Sequence, residues 1–152
     1  MCSYEPAASQ LLDDAEMPKW PILAVVIVLG APTAGADKQH RDVMAMELIP
    51  AARAAEANFK ASCECALAVV IDDSIKTIDE MVSARYIADE VSTGAAKYCT
   101  DAGSRKAMCQ MKTLRLASAS HPTFTFDAGV GIATTNGEHH ATWDMITRVL
   151  DK

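Results

Sequence analysis

The chain has 152 residues, half of them hydrophobic and 22% charged, with a formal net charge of -6. That length supports one hydrophobic core and little more, and the composition excludes a disordered body. An acidic balance without a clustered run of Lys and Arg argues against a nucleic-acid partner, because such binding draws its affinity from cations that displace counterions.

Residues 1–16 form an acidic leader carrying Glu5, Asp13, Asp14 and Glu16. Next come Met17, Pro18, Lys19 and Trp20, then an apolar block over 22–29, then Gly30, Ala31, Pro32, Thr33, Ala34, Gly35 and Ala36. Cation, apolar block and small residues in that order are the layout of a cleavable export signal, and small side chains at Ala34 and Ala36 occupy the two positions a signal peptidase reads. The sequence therefore predicts a signal over 17–36 cut after Ala36. A transmembrane helix needs about 20 apolar residues, and here the uninterrupted run is about half that, which ranks an uncleaved anchor second. A buried strand over 23–29 fits the length but not the flanks. Because export signals favour positive charge ahead of the apolar block, the acidic leader points to Met17 rather than Met1 as the start. The expected mature domain, 37–152, holds 13 Lys plus Arg against 16 Asp plus Glu, a net of -3, and is periplasmic or secreted with no membrane span.

Within 37–152 the residues Ala, Glu and Met dominate as far as Ser62, which predicts helix, and Pro50 divides it into two pieces or kinks it. Cys63, Cys65, Leu67, Val69 and Ile71 then fall on one parity, the period of a half-buried strand with both cysteines facing the core. Asp72 and Asp73 read as the strand end and its turn. Thr77 followed by Glu80 matches a capping box, and Met81, Ala84, Ala88, Val91, Ala95 and Tyr98 make the apolar stripe of a long helix. A short helix over 101–110 follows, with Thr100 or Asp101 as its cap and Cys109 near its end.

The last third alternates with period two around Leu114 and Leu116, around Phe124 and Phe126, and around Val130, Ile132 and Thr134. Asp127, Ala128 and Gly129 form a hairpin loop, Asn136 and Gly137 a second turn, and Ser118, Ser120 and His121 a turn before Pro122. These strands are expected to pair antiparallel. Thr142 is the expected cap of a final helix whose inner face is Trp143, Ile146, Val149 and Leu150. The reading is an α+β domain in the order α-β-α-α-β-β-β-α, with a small antiparallel sheet of about four strands packed against helices.

Loss of Cys2 with the leader leaves Cys63, Cys65, Cys99 and Cys109, an even set in an oxidising compartment and hence two disulfides with three connectivities. Cys63 and Cys65 are better placed to bridge to Cys99 and Cys109 than to each other, in either pairing. A Cys-x-Cys pair also binds Zn or Cu, but the second pair is spaced ten residues apart, unlike zinc sites. The other metal candidates are His40, Met44 and Met46, a thioether and imidazole set suited to Cu(I), with Met108 and Met111 beside Cys109, and the adjacent His139 and His140. Methionine is also an ordinary core filler, and neighbouring histidines in a turn diverge.

No Gly-x-Ser-x-Gly elbow is present, Gly129 and Gly131 lack the further glycine and helix of a dinucleotide loop, and no catalytic residue or cofactor is assigned. The sequence points to an exported domain that binds another macromolecule or a small ligand, an inhibitor or accessory protein. A periplasmic copper or zinc carrier and a small hydrolase with an unrecognised site are the alternatives.

Overall fold

Proline inside a helix removes a donor and crowds the carbonyl four residues back, so Pro50 ought to break the first helical segment. The computed structural model, which describes residues 34–151, shows how the break is avoided. Helix α1 (Ala34–Val43) passes into a π-helical turn (Met44–Leu48), in which the Ile49 N–H donates to the Met44 carbonyl five residues earlier. Helix α2 (Ile49–Cys63) follows with Pro50 in its first turn, where a missing N–H is harmless. The two pieces expected around Pro50 are thus joined through one widened turn. The expected leader (1–16) and signal (17–36) lie outside the described residues, except that Ala34, Gly35 and Ala36 open α1.

Ala51, Ala55, Phe59 and Cys63 recur every four residues on the buried face of α2, and that stripe carries the helix through Cys63. Glu64 ends it in the left-handed conformation at φ 63°, its N–H on the Lys60 carbonyl. This corrects the expectation that Cys63 and Cys65 sit on a strand. Only the end of the alternating run is extended, as β1 (Ala68–Ile71).

Helix α3 (Ile78–Tyr98) starts at the expected capping box. The Glu80 N–H donates to Thr77 Oγ1 over 3.2 Å, and the Thr77 N–H donates to Glu80 Oε2 over 2.9 Å. Its buried face holds the expected Met81, Ala84, Ala88, Val91 and Ala95, together with Ser83, Ile87, Ser92 and Gly94. Helix α4 (Ala102–Met108) is capped by Asp101, whose carboxylate accepts from the N–H groups of Gly103 and Ser104. Strands β2 (Thr113–Ser118), β3 (Phe124–Asp127) and β4 (Val130–Thr135) and helix α5 (Thr142–Leu150) complete the α+β arrangement.

The four strands lie in the order β1-β2-β4-β3. The sheet is mixed rather than antiparallel: β1 runs parallel to β2, β2 parallel to β4, and only β3 and β4 are antiparallel. The long excursion through α3 and α4 returns the chain to the end of the sheet where β1 began, so β2 must run the same way. The hairpin at Ala128 (φ 46°) and Gly129 (φ 84°) then turns β4 back between β2 and β3. In β4 the buried parity is Gly131, Ala133 and Thr135, opposite to the Val130, Ile132 and Thr134 periodicity that marked the strand. Buried Leu114, Leu116, Phe124 and Ala133 share one core with Phe59, Met81, Val91, Met108, Met111 and Ile146.

Two disulfides lock the helix ends together. Cys63 pairs with Cys99 and Cys65 with Cys109, tying the C-terminal end of α2 to those of α3 and α4. Cys63 is 1% exposed and Cys99 6% exposed, so the first bridge belongs to the core.

Candidate binding groove

Helix α5 carries more apolar residues than its inward stripe uses. Ile146 and Leu150 are buried in the core, whereas Met145 and Val149 are half-buried along the side that faces β3. Opposite them stand Pro122, Thr123 and Phe124, and proline suits a position just before a strand because no ladder donor is required of it. These residues and Arg148 line an open groove of about 330 Å³ between an edge strand and a helix, a size at the lower end of small-ligand sites. Arg148 is exposed and enters no ion pair among the described residues, while Arg85, Arg105 and Arg115 pair with carboxylates.

The groove's walls are held from behind. The Glu90 carboxylate, on α3, accepts from the N–H groups of Thr142 (2.8 Å), which it shares with the His140 carbonyl, and Trp143 (3.1 Å), at the start of α5. The expected cap was Thr142. The N-cap position is instead Ala141, which has no side-chain acceptor, and the Thr142 hydroxyl is buried, donating to the His140 carbonyl. Trp143 lies flat on Gly94 of α3, where an added Cβ would come within 2.3 Å of the indole. On the β3 side, Thr134 Oγ1 accepts from the Thr123 N–H and donates to the His121 carbonyl, fixing the turn that leads into Pro122.

A second acceptor of this kind anchors the end of β2. The Glu80 carboxyl is depressed to about 2, first because the Ser118 hydroxyl donates to it over 2.6 Å and then because the Thr77 and Lys76 N–H groups do so. Asp72 and Asp101 are also lowered, each chiefly by backbone N–H donation, from Ser74 and Ser104 respectively. All three shifts belong to caps and turns rather than to the groove.

No family model, curated protein or solved structure matches this chain.

The residues singled out as metal ligands do not converge on one point. His40 Nε2 lies 2.5 Å from the Lys76 carbonyl, Met44 packs against the core and Met46 is 75% exposed. His139 sits 3.8 Å from Glu90 and edge-on to Tyr86, at 4.9 Å between ring centroids. His140 Nε2 is 3.5 Å from Glu138 Oε2 but not aligned to bond it, and is shielded from solvent without a partner, although 36% of the side chain is exposed. Met108 and Met111 are fully buried, and Cys63, Cys65, Cys99 and Cys109 are consumed by the bridges. Among the described residues no three His, Cys, Asp or Glu side chains converge as a metal-ligand set.

Sequence reading missed Pro122, Phe124, Met145 and Arg148 as the members of one site. The available signal was the surplus on α5: Trp143, Met145, Ile146, Val149 and Leu150 are more apolar positions than one buried stripe accommodates.

Proposed function

We propose that this chain is an exported, disulfide-stapled binding domain that takes its ligand or partner in the groove between β3 and α5. The observation that carries this reading is the groove itself: Phe124, Met145 and Val149 supply apolar walls, and an unpaired guanidinium sits at the rim. Apolar walls with one convergent charge are the usual makeup of a site that both holds and orients an occupant. The two disulfides support the exported part of the reading, since such bridges persist in oxidising compartments, and no helix among the described residues is long and apolar enough to cross a membrane. A metal-carrier role gains no comparable support, because His40, Met44, His139 and His140 lie against different groups and Met46 is exposed.

The test is a screen of small aliphatic and aromatic carboxylates against the isotope-labelled oxidised protein by NMR. Binding is expected to move the signals of Phe124, Met145 and Val149 together, and to vanish in Val149→Asp. Hits that map to other surfaces, or that survive Val149→Asp, would overturn the groove as the site. Mass spectrometry of the natively expressed chain tests the export half, with an N-terminus at Asp37 and no alkylatable thiol as the expected result.

A further inference from the structure

Resting on the groove as the binding site, we infer that its occupant is the C-terminal end of an extended peptide, added as an antiparallel strand to the free edge of β3. Strand β3 has a neighbour, β4, on one side of the sheet only. Which of its backbone groups are committed follows from the register. The Thr134 N–H donates to the Thr123 carbonyl over 2.9 Å, and Thr125 and Asp127 lie opposite Ile132 and Val130. In an antiparallel ladder bonded residues alternate, so Thr123, Thr125 and Asp127 face β4 while the N–H and C=O groups of Phe124 and Phe126 face away from it. The other edge of the sheet is treated differently, for the Val69 N–H on β1 is capped by Glu56 Oε1 at 2.7 Å. Strand edges left with free donors and acceptors are templates for pairing, and peptide recognition uses them in this way.

Direction and chemistry then follow from where the groove lies. It opens beside Pro122, Thr123 and Phe124, at the beginning of β3. A peptide antiparallel to β3 runs toward that end and finishes there, so that its last side chain enters the space between Phe124, Met145 and Val149. Its terminal carboxylate arrives beside Arg148, an arginine without an acidic partner among the described residues. A parallel peptide would instead place an ammonium group against the guanidinium. Charge complementarity thus selects the antiparallel direction, a free C-terminus and an apolar final residue.

The experiment selects binders to the full oxidised protein from a displayed library of random heptapeptides with free C-termini, then compares the winning sequence as synthetic acid and amide. The acid is expected to bind at least about tenfold more tightly than the amide, the scale of one charge-assisted hydrogen-bonded pair. Arg148→Gln is expected to erase that difference while leaving the amide's affinity alone, and Val70→Glu, on the opposite sheet face, to change neither. Hydrogen exchange should show new protection at the Phe124 and Phe126 amides and none at Thr125. Equal binding of acid and amide, protection elsewhere, or no peptide selected would each overturn the inference. So would protection of those two amides by concentration-dependent dimerisation, which would give the edge to a second copy. Small carboxylates that still bind in the groove while every peptide fails would sink this inference alone, whereas failure of both would remove the groove as a site.

Discussion

The interleaving of the two disulfides makes their energetics unequal to the sum of two separate loops. Taken alone, a bridge closing the 36-residue span from Cys63 to Cys99 restricts the unfolded chain by about 3.8 kcal/mol, and the 44-residue span from Cys65 to Cys109 by about 4 kcal/mol. Once Cys63 and Cys99 are joined, however, the shortest path from Cys65 to Cys109 runs only two residues on one side and ten on the other. Closing that small loop adds about 2.8 kcal/mol. Removing the half-exposed bridge with Cys65→Ala and Cys109→Ala is therefore expected to cost about 3 kcal/mol, and removing both bridges about 7 kcal/mol, comparable with the whole stability of a small domain. Loss of Cys63 and Cys99 should cost more than loss of Cys65 and Cys109, because those sulfurs are buried and leave a cavity. Urea unfolding of the oxidised protein, the two bridge variants and the cysteine-free variant completes the cycle. A loss below about 1 kcal/mol for the Cys65 and Cys109 variant, or strict additivity of the two bridges, would refute the reasoning.

Acid should weaken the fold through Glu80, whose folded pKa of about 2 lies below its ordinary 4.5. A depressed carboxyl stabilises fully above the unfolded value and loses that contribution as pH falls from about 4.5 toward 2. After allowance for solvent screening the loss is about 1–2 kcal/mol, and Glu80→Gln should flatten this part of a pH-dependent urea series. Gly94→Ala gains about 1 kcal/mol of helix propensity but drives a methyl into Trp143, so a net loss of about 1–2 kcal/mol with a shift in tryptophan fluorescence is expected. In a Trp143→Ala background the same change should become stabilising, and a loss in both backgrounds would remove the indole as the cause. Glu90→Ala strips the acceptor from the Trp143 amide and leaves the Thr142 amide with the His140 carbonyl alone, and is expected to cost about 1–3 kcal/mol, with faster hydrogen exchange at Trp143; unchanged exchange there would contradict the assigned role.

What was legible in the sequence was what depends on neighbours along the chain. The Thr77 and Glu80 capping box, the Asp101 cap and the Asp127 to Gly129 hairpin each follow from residues within four positions of one another. The cysteine count likewise announced two bridges, and the structure shows which. Features set across the chain were not legible. Parallel pairing of β2 with β4 depends on where the hairpin is inserted, and nothing in the alternation of Leu114, Leu116 or Ile132 states which strand lies beside which. Glu90 caps α5 from 52 residues away, so the local candidate Thr142 was the natural misreading. Cys63 fits both a short alternating run and the end of a four-residue helical stripe, and burial of Ala55 and Phe59 on the same face decides for the helix. The groove joins residues 122–124 to 145–149 and is invisible to any window shorter than the distance between them.

The placement of the covalent and electrostatic ties bears on how such a groove works. Both disulfides gather the ends of α2, α3 and α4, and the Glu80 carboxylate pins β2 to the start of α3. None of them touches β3 or α5. The hairpin strand has one strand neighbour and Phe124 in the core, and α5 is held by buried Ile146 and Leu150, the Glu90 carboxylate, the Trp143 contact with Gly94 and the edge-on pair of Tyr98 with Trp143. Binding at a strand edge requires that the edge remain straight and the adjoining wall yield by fractions of an ångström to different side chains. For the proposed peptide, a scaffold stapled on the side of α2, α3 and α4, with a non-covalently held helix beside the edge strand, would meet both requirements, because neither bridge involves the Met145 and Val149 wall. On that proposal the two bridges would do more than compensate for a small core, since they would hold the frame on the side away from the groove.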